Sequence, residues 1–246
     1  MAANAYIQAV FEALERLRDT QAEPMRQAAD LMTDAVVAGG RIFCFGASHS
    51  FMIAEELVYR TGGLMLINPI TPHGMNLTVR PMTLTSQIER IPGYGALLLR
   101  HSPARAGDVL LIASTSGRNA VALDMALAAR EDGLTTIGIT SLAYSQSVTS
   151  RHPSGKRLFE LVDVVVDTCA PQGDAAVEFA GLPQKSGPLS TVLGCTAVNA
   201  IVCQVIRNLL DRGLTPPVFI SANVDGGDAH NARLLAEYGD RIFYMD

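Results

Sequence analysis

Cysteine is scarce in this chain, and the four present suggest neither a staple nor a metal cage. Cys44, Cys169, Cys195 and Cys203 sit in apolar strand-like or helix-like surroundings, with no C-x-x-C pair and no histidine at metal-ligand spacing. They read as core packing in a reducing compartment. No apolar run approaches the roughly 20 residues that a bilayer span needs. The opening Met-Ala-Ala-Asn-Ala-Tyr lacks the basic and apolar regions of a signal peptide. A cytoplasmic protein that does not engage a membrane is therefore expected. Positive charge is also short: 19 Lys and Arg against 24 Asp and Glu leave a net charge of -5, with no basic stripe or tail, which argues against a nucleic-acid partner.

What is present is globular. At 246 residues, 48% hydrophobic and 17% charged, the chain can bury a substantial core as one α/β domain with appendages. Ile7, Val10, Phe11, Leu14 and Leu17 recur at helical spacing. A second amphipathic run, from Met25 through Met32 to Val36, follows an expected break at Pro24 and ends at Gly39-Gly40. Residues 1–40 are thus expected to be a helical arm outside the sheet core, packed on the domain or on a second copy. Residues 41–246 form the main domain.

Strand-like and helix-like segments then alternate, as a parallel sheet requires. The strands are read at 41–45, 64–67, 109–113, 134–140 and 164–167, and helices at 51–60, 120–130 and 188–210, with a shorter one over 91–101. Two long segments read as loops: 68–92, interrupted by Pro69, Pro72, Pro81 and Pro92, and 171–187. A loop as long as the first is usually a lid or binding loop. Asp174 and Glu178 in the second read as ordinary solvated carboxylates. The expected architecture is a doubly wound α/β sheet.

The stretch that organises the chain is Ser114-Thr115-Ser116-Gly117-Arg118-Asn119. It joins a buried strand to an Ala- and Leu-rich helix. Small hydroxyls, a glycine and the free N–H groups of a helix start meet there, which suits a phosphate. No lysine stands where a nucleotide P-loop has one, so hydroxyls and amides would do the holding. The other reading is a capped helix start, but a cap needs one hydroxyl and here three run together ahead of Gly117. A similar turn, Gly46-Ala47-Ser48-His49-Ser50, follows the first strand, and in a doubly wound sheet such turns meet at the carboxyl edge of the strands. Ser190 and Thr191, at the start of the 188–210 helix, are further candidate ligand contacts.

The 114–119 turn resembles the phosphate loop of the SIS (sugar isomerase) domain family. The 46–50 turn, with Ala54-Glu55-Glu56-Leu57, is similar to that family's first ligand loop and helix. The likeness is to stand-alone members grouped with phosphoheptose isomerase, and Ser221-Ala222-Asn223-Val224-Asp225-Gly226-Gly227 resembles the tail of a subgroup of uncharacterised sugar isomerases. It spans about residues 41–211. It implies a flavodoxin-like parallel sheet flanked by helices, a phosphosugar ligand, and homodimers or homotetramers with sites near subunit interfaces.

Aldose–ketose isomerisation needs a base that moves a proton between the carbons beside a carbonyl. The resemblance selects Glu56, with Glu55 beside it; a pair of solvated helix glutamates is the other reading. Ring opening needs a second acid–base group, for which His49 and His230 lead His73, His101 and His152. Arg118 can pair with a phosphate or an enediolate oxygen. The corresponding final helix of phosphoheptose isomerases carries a His and a Gln, whereas here Gln204 stands without a His. That departure counts against a heptose substrate and a bound metal, and no cofactor is expected. Two alternatives share the site: a phosphosugar sensor without catalysis, and elimination as in muramic acid phosphate etherases, whose turn Ser116-Gly117-Arg118 also resembles.

Overall fold

The apolar runs assemble into one parallel sheet with both faces covered. In the computed structural model, which describes residues 1–245, the strands are β1 (Ile42–Gly46), β2 (Ile67–Pro69), β3 (Val109–Ala113), β4 (Thr135–Thr140) and β5 (Val164–Asp167). They lie in the order β2-β1-β3-β4-β5, each neighbouring pair parallel. This is the flavodoxin-like order, whose winding reverses between β1 and β3. Alternate residues divide between two cores: Ile42, Cys44, Val109, Leu111 and Ala113 in one, Phe43, Phe45, Leu110 and Ile112 in the other.

The first core is closed by α1 (Ala2–Val37) and α2 (Phe51–Glu55). Between strands run α3 (Thr83–Ile88), α4 (Tyr94–Arg100), α5 (Ala120–Glu131) and α6 (Leu142–Gln146); α4 and α5 cover the second core. A small antiparallel pair, β6 (Ala175–Val177) and β7 (Ser186–Pro188), leads to α7 (Ser190–Asp211), which packs on α1 and α2 over the first core. Helix α8 (Gly227–Tyr238) closes the chain.

Several sequence expectations are corrected. Helix α1 runs unbroken through Pro24. A proline inside a helix costs about 3 kcal/mol through a lost N–H bond and a clash. Here Leu17, Ala28, Ala29, Met32 and Val36, on both sides of Pro24, are buried in the same core as β1 and β3, so packing along one long face outweighs the defect. For the same reason the arm does not stand outside the sheet core. Helix α7 is long and apolar enough to cross a membrane by length and composition, against the expectation that no segment would be, yet Leu193, Ala197, Val198, Ile201 and Val205 are fully buried inside the fold.

The run 64–67 pairs with β1 only from Ile67 onward. Before that, Leu64 bridges Val218, and the Met65 N–H donates to the Pro217 carbonyl at 2.9 Å. The C-terminal segment therefore claims these residues and covers the open edge of the sheet. The Asn68 side chain continues the seal, donating to the Arg241 carbonyl and accepting from the Phe243 N–H at 2.8 Å. Helix α2 ends at Glu55 rather than at residue 60, with Tyr59 in the left-handed region at φ +46°. The segment 171–187 holds β6 and part of β7 rather than a plain loop.

Candidate functional site

Gly46 and Ala113 are paired in register at the ends of β1 and β3, so the two serine-bearing turns start side by side at the switch point. Between them lies a cavity of about 300 Å³. Ser48, His49 and Ser50 line it from the first turn, Ser114, Thr115, Ser116 and Asn119 from the second. Glu89, Tyr144 and Asp174 form its other walls.

Backbone geometry aims the second turn. The Thr115 carbonyl accepts the Ser141 N–H at 3.0 Å and the Thr140 hydroxyl at 3.2 Å, which directs it toward the end of β4. Across a trans peptide the N–H points the opposite way, so the Ser116 amide faces the β1 side, where the cavity lies. The Gly117 carbonyl is likewise held by the Leu158 N–H at 2.8 Å, which turns the Arg118 amide away from it. None of the hydroxyls of Ser48, Ser50, Ser114, Thr115 and Ser116 has a hydrogen-bond partner among the described residues, and no side chain caps α5. The serine run is therefore not spent on starting the helix.

The first turn is held open by Gly46 and strained at Ser48. A Cβ on Gly46 would lie 2.2 Å from the Ser50 carbonyl oxygen, so only glycine lets the chain fold back this tightly. Ser48 sits at φ +56°, with its N–H bonded to the Met75 carbonyl at 2.7 Å. A left-handed conformation costs a non-glycine residue roughly 1 kcal/mol. Ser48→Gly is accordingly expected to raise the melting temperature by about 2–4 °C, as roughly 1 kcal/mol does in a chain of this size, while removing a cavity hydroxyl. Differential scanning calorimetry checks this, and a lowered midpoint contradicts it.

Asn119 does not cap α5 but spans the site. Its Nδ2 donates to Glu89 Oε2 at 2.8 Å, and its Oδ1 accepts from Arg151 at 3.0 Å. Glu89 follows α3, and its carbonyl accepts the Val121 N–H, which ties the proline-rich segment to the start of α5. Burial raises the Glu89 carboxyl pKa above its ordinary value, opposed by the Asn119 hydrogen bond and the charges of Arg90 and Arg151. A half-buried carboxyl of raised pKa in a polar cavity is what proton transfer calls for. The sequence alone does not single out Glu89. Its one signal was its place in a long proline-studded segment of the kind that forms binding loops.

The remaining candidates lie elsewhere. Glu56 is not among the residues lining the cavity; it accepts from Asn199 Nδ2 on α7 at 2.7 Å and pairs with Arg60. Its charge, together with burial, pushes the Cys195 thiol up to about 11, burial being the larger cause. His230, on α8, bonds through Nε2 to the Val218 carbonyl at 3.1 Å, and its Nδ1 faces Arg233 at 3.3 Å. Ser190 donates its hydroxyl to Asp174 Oδ2 at 2.7 Å, and Asp174 Oδ1 accepts the Leu189 and Ser190 amides. Asp174 is thus the cap that anchors α7 to the cavity wall, not a freely solvated carboxylate, whereas Glu178 is exposed and paired with Lys185. Thr191 follows on the same first turn of α7. Gly117 shapes the second turn from beneath, and Arg118 reaches Thr149 at 3.3 Å. Among the described residues no three His, Cys, Asp or Glu side chains converge as a metal cage would require.

Fold and cavity together define a flavodoxin-like α/β protein with an oxyanion-suited site at the switch point of its sheet. Comparison with known proteins narrows this. The SIS domain family pattern matches residues 5–141. A UPF0309 protein of Shouchella clausii is 46% identical over 98% of this chain and 100% of its own length. Among solved structures, phosphoheptose isomerase from Neisseria gonorrhoeae is similar over 83% of this chain and 97% of its own, at TM-score 0.55 and 20% identity. The Vibrio vulnificus NanR protein complexed with ManNAc-6P is similar over 96% and 69%, at TM-score 0.51 and 14% identity. The chain belongs to the SIS domain family and, within it, to the UPF0309 proteins.

Proposed function

We propose that this protein binds a phosphosugar at the β1–β3 cavity and isomerises it between aldose and ketose by moving a proton. The observation that carries the reading is the set of uncommitted hydroxyls and the Ser116 amide facing one cavity that also holds Glu89. Ser48, Ser50, Ser114, Thr115 and Ser116 take the phosphate, Gly46 and Gly117 give the turns their shape, and Asn119 positions Glu89. Glu89 acts as base, taking the proton from the carbon beside the carbonyl and returning it to its neighbour. His49, exposed at the cavity edge, serves ring opening. The fold shared with a phosphoheptose isomerase, and with a protein described in complex with ManNAc-6P, supports the ligand class.

Glu56 is the rival base. Its support is the family resemblance and its position beside α7. The faces of α1 and α7 carry exposed Ile7, Phe11 and Val192, apolar surface that a second copy would cover in a homodimer or homotetramer. Four free thiols support a reducing, cytoplasmic setting.

A panel of sugar phosphates screened by thermal shift, followed by solvent deuterium incorporation into each binder, tests the proposal. The expected result is at least one binder that exchanges a carbon-bound proton. Binding with no exchange in any binder hands the site to the sensor reading, which the likeness to NanR favours. No binding by any sugar phosphate overturns the ligand class itself.

A further inference from the structure

Three arginines stand near the Glu89–Asn119 side of the cavity and outnumber the one carboxylate there. Arg118 belongs to the 114–119 turn, Arg151 donates to the cavity residue Asn119 at 3.0 Å, and Arg90 follows Glu89 in the chain. Arg118 and Arg151 are also neighbours through the backbone, the Arg151 amide donating to the Arg118 carbonyl at 2.9 Å. None of the three is in an ion pair among the described residues. Arginines without an ion pair occur elsewhere, as at Arg41 and Arg241, but there the guanidinium donates to backbone carbonyls. The buried Nε of Arg118 has no hydrogen-bond partner, and its one side-chain bond is a long one, to Thr149 at 3.3 Å.

Like charges held together cost free energy unless something of opposite sign completes them. Burial, and the charges of Arg118 and Arg90, lower the pKa of Arg151. The one carboxylate that senses Arg90 and Arg151 is Glu89, which bonds Asn119 and, among the described residues, forms an ion pair with none of the three, so a single carboxylate stands against three guanidinium groups. In a chain of net charge -5, positive charge concentrated at one rim is a local feature and not a general surface property. The hydroxyls and the Ser116 amide already provide for a phosphate, so the arginines remain for another group.

We infer that the ligand carries a second anionic group, a carboxylate or a second phosphate on the sugar, held by Arg118, Arg151 and Arg90 at the rim of the cavity. The inference rests on the phosphosugar reading and specifies the substrate class: a sugar phosphate with two anionic ends. Guanidinium forks suit either planar carboxylate or tetrahedral phosphate oxygens, and Asn119 links this rim to Glu89.

Isothermal titration of the full chain with fructose 6-phosphate, 6-phosphogluconate and fructose 1,6-bisphosphate tests it. One of the two-anion probes is expected to bind about 10-fold tighter or more than the monophosphate, as a charge-assisted contact supplies. Whichever is tighter tells carboxylate from phosphate. In Arg151→Gln the ratio of two-anion to monophosphate affinity is expected to fall toward one. Arg151→Lys, which keeps charge without the fork, is expected to restore part of it. Equal affinities for all three probes in the parent chain overturn the inference and leave the phosphosugar reading standing. So does a ratio unchanged in Arg151→Gln, or an equal loss for all three, which would assign the arginines to the phosphate itself. Failure of every probe to bind overturns the phosphosugar reading together with this extension of it.

Discussion

Glu89→Gln is expected to lower turnover by about 10²–10⁴-fold, the usual loss on removing a general base, with ligand binding retained. The same exchange is expected to stabilise the fold at neutral pH. Burial raises the Glu89 carboxyl pKa above the ordinary value of 4.5. A carboxyl whose folded pKa exceeds its unfolded value imposes nothing while protonated. Its cost appears as pH rises past the unfolded pKa and is complete above the folded one. Glutamine keeps an oxygen for Asn119 Nδ2 and carries no charge to desolvate. The variant should therefore melt above the parent at pH 7, with the difference closing as pH falls below 4.5. Steady-state kinetics and melting curves at several pH values check both halves. A large loss of turnover in Glu56→Gln, with none in Glu89→Gln, would transfer the base to Glu56.

Gly117→Ala is expected to destabilise the chain by roughly 2–5 kcal/mol and to abolish phosphate binding. Two costs combine. Gly117 sits at φ +55°, where a side chain costs about 1–2 kcal/mol. Its new Cβ would also lie 2.9 Å from Ser145 Oγ and 3.2 Å from both Leu158 Cβ and Thr140 Oγ1, an overpacking worth about 1–3 kcal/mol. The turn relieves this by pulling away from the end of β4, which turns the Ser116 amide off the cavity. A drop in melting temperature of about 5–15 °C would follow at this chain length. Binding lost with the midpoint unchanged would contradict the expected destabilisation and confine the effect to the turn itself.

The sheet was legible because its strands are short apolar runs closed by turn residues. Val109 to Ala113 alternates between the two cores as a strand buried on both faces must, and both serine turns fall where the flavodoxin-like order brings strand ends together. What escaped the reading depends on partners distant in the chain. Pro24 argues locally for a break, yet the buried faces of Leu17 and Met32 carry α1 through it. Leu64 is strand-like by composition, but Val218 rather than β1 receives it. Asp174 looks like a loop carboxylate until α7 arrives to be capped. Glu89 escaped for a similar reason: its value lies in Asn119 and Arg151, 30 and 62 positions further along the chain, and not in its neighbours.

Calorimetric titration of the full chain with fructose 6-phosphate and with unphosphorylated fructose, repeated on Ser116→Ala, asks most directly whether the cavity grips a phosphate. The expected result is saturable binding of the phosphate ester alone, weakened about 10-fold by the loss of one hydroxyl that serves a charged group. Equal heats for both sugars, or an affinity indifferent to Ser116, would contradict it.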